Sequence, residues 1–204
     1  MKTISRFCLI SAIAIFFGQF AQAKENPQAN KFALEAKQAI AGNDWNKAIE
    51  MYRKAADLDR KFATNLSIAY QQRGFAAMNE QRFQDAILDF SEAIKINPRD
   101  ARVYEQRAAV EMKINDYDKA LADYSEAIKL NPNEVRDYLY RAYIYEIKGD
   151  IKNSMADTDR VLKLDRKNQQ ALSRKQRLQA RQQSQAAPSL APQSSPPAVP
   201  ARTP

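Results

Sequence analysis

Two serine–lysine pairs, Ser91 with Lys95 and Ser125 with Lys129, stand four residues apart. On a helix that spacing lets a lysine amine face a serine hydroxyl and activate it as a nucleophile. Histidine is absent from the chain, so acid or base work near neutral pH would fall to carboxylates, lysine or tyrosine. The two pairs recur together with everything around them and are expected on a solvated helix face, so they read as products of repetition and not as catalytic dyads. Asp157, Asp159 and Asp165 follow helical charge spacing and lack the glycine of a calcium loop, and no glycine-rich phosphate loop is present. No enzymatic activity, metal or cofactor is expected.

The elements that carry these residues repeat. Tyr70 to Asp100 aligns without a gap on Tyr104 to Glu134, an offset of 34 residues, and Asp89-Phe90-Ser91-Glu92-Ala93-Ile94-Lys95 returns as Asp123-Tyr124-Ser125-Glu126-Ala127-Ile128-Lys129. Within each repeat a bulky residue is set against a small one: Tyr70 and Tyr104 with Gly74 and Ala108, then Ala86 and Ala120 with Phe90 and Tyr124. Such a pattern suits two interlocking helices. Pro98 and Pro132 cannot continue a helix interior and mark the repeat ends. Upstream, Phe32, Ala36, Trp45, Ala48, Tyr52 and Ala55 fill the same columns, with four extra residues before the next repeat. Downstream, Tyr138, Ala142, Tyr145 and Ile151 fit, while Ser154, Thr158 and Val161 replace the alanine, aromatic and alanine of the second helix, which puts its packing in question.

This period and these columns resemble the tetratricopeptide repeat. The resemblance implies an all-α fold: a right-handed α-solenoid of about four helix-turn-helix units at 29–62, 67–100, 101–134 and 135–168. A basic capping helix over 169–183 follows, with one apolar side. The resemblance also implies a polypeptide ligand held by the first helix of each repeat. The groove residues it points to include Gln71, Phe75, Met78, Arg102, Met112, Arg136, Leu139, Tyr140 and Tyr143. The apolar and aromatic members would form an adaptable strip, with Arg102 and Arg136 available for carboxylates, so the expected ligand is a protein or peptide with apolar and acidic residues. Packing offers another reading: Met78 and Met112 between repeats, Arg102 and Arg136 paired with Asp100 and Glu134. The Arg73, Arg107 and Arg141 column is read as repeat structure, each guanidinium bridging to the adjacent helix. Chaperone-binding members of the family hold a terminal carboxylate with lysine, asparagine and arginine. Here those columns read Ala33, Lys37, Gln72, Glu105 and Ala109, and a glutamate there would repel such a ligand.

The ends of the chain differ from its middle. Lys2 and Arg6, the apolar run Phe7 to Phe17 and Ala21-Gln22-Ala23 read as a secretory signal over residues 1–23. A retained membrane anchor is the alternative, although the run is short for a span of about 20 residues. Cys8, the single cysteine, lies in this run, so cleavage after Ala23 would leave no thiol for disulfides or metal ligation. The Ala-Gln-Ala end favours a bacterial periplasm, with secretion otherwise. The net charge of +8 would suit nucleic acid, but export disfavours that partner. An anionic membrane or polymer is the alternative partner, met by the basic C-terminal helix. Residues 184–204, rich in proline, alanine and serine, are expected to be disordered.

Overall fold

The computed structural model describes residues 25–186; the segment expected to be a secretory signal and the proline-rich tail beyond Ala186, expected to be disordered, lie outside the described residues. All regular elements among the described residues are helical: nine α-helices and one 3-10 turn. They follow one another in consecutive pairs, and the chain divides into two compact units after Pro98.

Unit 1 holds α1 (Pro27–Ala41), α2 (Trp45–Leu58), α3 (Ala63–Asn79) and α4 (Phe83–Ile96). Asn26 starts α1 by accepting from the Gln28 and Ala29 amides, at 3.1 and 3.2 Å, with Pro27 in the first turn, where its missing N–H costs nothing. Arg60–Phe62 form a 3-10 turn after α2, and the four extra residues, 63–66, lengthen the start of α3, which has 17 residues against 13 in Ala101–Lys113. Small residues set the spacing of the helices: Ala48, Ala55, Ala69, Ala86 and Ala93 are fully buried. A Cβ at Gly74 would lie 3.0 Å from the Phe90 ring, so glycine lets α4 approach α3 here.

Unit 2 holds α5 (Ala101–Lys113), α6 (Tyr117–Leu130), α7 (Val135–Ile147), α8 (Ile151–Leu164) and α9 (Gln169–Ala186). Asp100, Asp116, Glu134 and Asp150 cap the first four of these with side-chain oxygens. One cluster joins Ala108, Ala120, Tyr124 and Ile144; a second joins Ile128, Tyr138, Val161 and Ala171 and ties α9 to α8. The polar substitutions in α8 do not spoil its packing. Ser154 and Thr158 are fully buried, and their hydroxyls donate to the carbonyls of Ala142 and Ser154 at 2.8 and 2.7 Å, so neither burial leaves an unmet donor.

Each within-pair turn uses one residue of left-handed backbone: Asn43, Gln81, Asn115 and Gly149, with φ of 57, 60, 61 and 76°. Only the last is glycine. Gly149→Ala is therefore expected to destabilise unit 2 by about 1 kcal/mol, and Gly149→Asn by less, because asparagine tolerates this region. Urea midpoints of the two variants check the order.

Candidate functional site

The repeating arginines are structural. Arg73 meets Asp89, Arg107 meets Asp123 and Arg141 meets Asp157, each through two bonds of 2.6–2.8 Å across its helix pair, and the three aspartates are buried. Paired forks of this kind fix the register of the two helices. The serines are also occupied. Ser91 donates to the Ile87 carbonyl and Ser125 to the Leu121 carbonyl, while Lys95 and Lys129 turn to Glu92 and Glu126.

Five of the groove residues named from the sequence converge in unit 2. Met112, Arg136, Leu139, Tyr140 and Tyr143 line a cavity of about 810 Å³. That volume falls in the range of ligand-binding clefts. Tyr140 and Tyr143 are each nearly half exposed, and Tyr140 stacks on the buried Tyr124, with centroids 5.5 Å apart at 18°. The buried ring holds the exposed one in place. Met112 serves two ends, since it also packs on the Ala108–Tyr124 cluster.

The opposite wall is α9, supplying Gln169, Gln170, Ser173, Arg174 and Arg177. Arg174 is 8% exposed and is held by the Leu139 carbonyl at 3.0 Å and Glu146 at 3.2 Å. Burial pulls its guanidinium below the ordinary arginine range, and Glu146 opposes that shift. Arg177 and Arg181 reach the same carboxylate at 3.4 and 3.8 Å, and Lys175 reaches Asp159 at 2.7 Å. These α9 cations are thus directed at carboxylates of α7 and α8. On the α7 wall, the Arg136 guanidinium pairs with Glu105, which holds it above the usual range, while the Arg136 amide donates to the capping Glu134 carboxylate at 3.2 Å.

The other four residues stand elsewhere. Arg102 is exposed and chelates its own helix cap, Asp100, at 2.9 and 3.0 Å. Gln71, Phe75 and Met78 belong to α3 in unit 1, where Gln71 donates to Ser67 at 3.3 Å, Phe75 is 48% exposed and Met78 is half-buried. Unit 1 has a smaller cleft of about 330 Å³ at the start of α2, where Arg73 is tied to Asp89 and Asn46, and Arg82 to Glu80 and Asp85. Both of its arginines are already engaged.

Two buried carboxyls escaped the sequence reading. Asp137 is fully buried and neither oxygen has a hydrogen-bond partner; Glu111 is 2% exposed with one oxygen unpartnered. Burial lifts both to about 7. The signal was present, because the same column holds Ala69 and Val103, and an aspartate in an apolar column is out of place.

The tetratricopeptide repeat family matches residues 67–100 and, separately, residues 101–134. The chain is a tetratricopeptide-repeat protein. Among solved structures, the tetratricopeptide domain of Arabidopsis OM64 is similar over 58% of this chain and 98% of that one, with 27% identity and a TM-score of 0.54. The second tetratricopeptide domain of human RPAP3, in complex with an HSP70 peptide, shares 24% identity over 55% of this chain and 94% of that one, with a TM-score of 0.52. MamA is similar over 76% of this chain and 83% of that one at 15% identity, TM-score 0.58. At these last two identities the likeness is one of tetratricopeptide fold, and the helix pairs described above are that fold.

Proposed function

We propose that the protein is a non-catalytic adaptor of the cell envelope that holds a segment of another polypeptide in the unit 2 cavity. The observation that carries this reading is the composition of that cavity. Met112, Leu139, Tyr140 and Tyr143 offer apolar and aromatic surface, and among the described residues the charged members of its lining are Arg136, Arg174 and Arg177. Tyrosine contributes large contact area at low entropy cost, and methionine repacks to fit its neighbour. That a solved tetratricopeptide relative holds a peptide supports the same reading. The envelope location rests on the signal-like residues 1–23.

Pull-down from envelope fractions tests the adaptor role. Tyr140→Ala with Tyr143→Ala is expected to lose the captured proteins, whereas Leu88→Ala, on the exposed face of α4, keeps them. Capture unchanged by the tyrosine pair would remove the cavity from consideration. N-terminal sequencing of the envelope protein is expected to begin at Lys24.

A further inference from the structure

The two walls of the unit 2 cavity have a common direction. Near the start of α9, Ala171 packs in the cluster with Tyr138, and one to three turns later Arg174, Arg177 and Arg181 all reach Glu146, at the end of α7. Helices α7 and α9 therefore run the same way along the cavity. Arg136 stands at its first end and Arg177, beside Glu146, at its other. Ten residues of helix separate Arg136 from Glu146, about 15 Å. Tyr140 and Tyr143 lie between.

Both end arginines keep donors for a ligand. Arg136 is 61% exposed and Arg177 55%, and each has five N–H groups, of which its glutamate engages a part. Glu105 and Glu146, only 12 and 11% exposed, orient the guanidiniums from below. Arg136, Arg174, Arg177 and Arg181 outnumber Glu105, Glu146 and the Glu134 carboxylate beside Arg136, so the balance around the cavity is positive. Gln169, Gln170 and Ser173 line the rest of the α9 wall. Their side chains both donate and accept, as the peptide groups of an extended chain require.

We infer that the cavity reads a short extended acidic segment of a partner protein, with a carboxylate at each end and a large apolar or aromatic side chain between them, in the order acid-x-aromatic-x-acid. This rests on the peptide-binding reading above and adds its register. An extended chain rises about 3.3 Å per residue, so positions one and five lie about 13 Å apart, close to the about 15 Å of helix between Arg136 and Glu146, the residue that Arg177 meets. Positions one, three and five also share one face of a strand, which brings the aromatic onto Tyr140 and Tyr143 while the carboxylates meet Arg136 and Arg177. In this arrangement α9 is a recognition wall of the site as well as the end of the fold.

Fluorescence anisotropy on the purified full chain tests it with four labelled heptapeptides. These are Ser-Glu-Ser-Phe-Ser-Glu-Ser, its glutamine and lysine versions, and the same composition with both glutamates adjacent. The first is expected to bind at least about tenfold more tightly than the other three, since each matched charge-assisted pair contributes about 1 kcal/mol or more. Arg136→Gln and Arg177→Gln should each weaken it about fivefold or more while leaving the glutamine peptide unaffected, with circular dichroism confirming that these exposed substitutions fold. Equal binding of the adjacent-glutamate or lysine peptide overturns the inference. So does failure of all four, and a photoreactive residue at position 140 then shows whether residues 187–204 or a second copy fill the cavity. If all four fail while Tyr140 and Tyr143 still govern capture from envelope fractions, the adaptor role stands and only the acidic register falls.

Discussion

Asp137→Val is expected to stabilise unit 2, and to do so more at pH 8 than at pH 5. The substitution installs the residue found at the equivalent position of the preceding repeat, Val103, which is fully buried. The Asp137 carboxyl rises from 3.8 to about 7, first because burial penalises its charge, then because Glu105 and Glu134 stand near; Arg136 and Arg141 oppose the shift. Below about pH 4 the group is protonated in both folded and unfolded chains. Between about 4 and 7 only the unfolded chain releases the proton, so stability falls as pH rises, and above about 7 the loss is complete. A shift of this size corresponds to a ceiling of about 4 kcal/mol. Valine should therefore gain about 1–2 kcal/mol at pH 5, where a neutral carboxyl without a partner is still buried, and about 2–4 kcal/mol at pH 8. Glu111 carries the same sign, raised from 4.5 to about 7 by burial and then by Asp123. The half-buried caps Asp116 and Asp150 are shifted downward by their hydrogen bonds and act oppositely, losing stability as pH falls through their lowered range. Urea denaturation from pH 5 to 8 measures this. A variant that tracks the wild type at every pH would show that the carboxyl is hydrated in solution.

The second large effect is expected from Tyr124→Ala. Its side chain is 1% exposed, packs among Ala108, Ala120 and Ile144, and stacks beneath Tyr140. Truncating a buried ring costs about 3–5 kcal/mol, because the lost transfer energy is joined by a cavity that its neighbours only partly fill. The loss of the stacked pair adds about 1 kcal/mol and frees Tyr140 to turn. The urea midpoint should fall steeply, and ligand affinity should fall even where the protein stays folded. Phe90→Ala, at the same column in unit 1, is expected to lower stability comparably without that effect on affinity. A Tyr124→Ala variant that loses less than about 1 kcal/mol would contradict the packing, and equal affinity losses in the two variants would contradict placement of the site in unit 2.

The repeat was legible because its constraints are local. Tyr70 and Gly74, or Ala120 and Tyr124, lie within a turn of each other, so bulk and its absence can be read directly from spacing. The Arg73, Arg107 and Arg141 column was legible for the same reason, and its aspartates, 16 residues on, belong to the same pair of helices. Half of the site was not. Arg136 finds Glu105 in the previous repeat, 31 residues away, and Arg174 finds Glu146, 28 residues away; both depend on how successive pairs stack. The role of α9 was hidden by its composition. Leu172 is exposed, while Arg174, a residue usually placed in water, is buried between Glu146 and the Leu139 carbonyl. A capping helix was expected, and the cavity wall it forms follows from where α8 delivers it.

Site-specific crosslinking in cells tests the central claim most directly. A photoreactive residue replaces Tyr143 in one variant and Leu88 in another, and the adducts are identified by mass spectrometry. The prediction is a partner polypeptide joined at position 143, through a segment bearing carboxylates on either side of an aromatic, and none joined at position 88. Partners captured equally from both positions, or from position 88 alone, would contradict a peptide-binding cavity between α7 and α9.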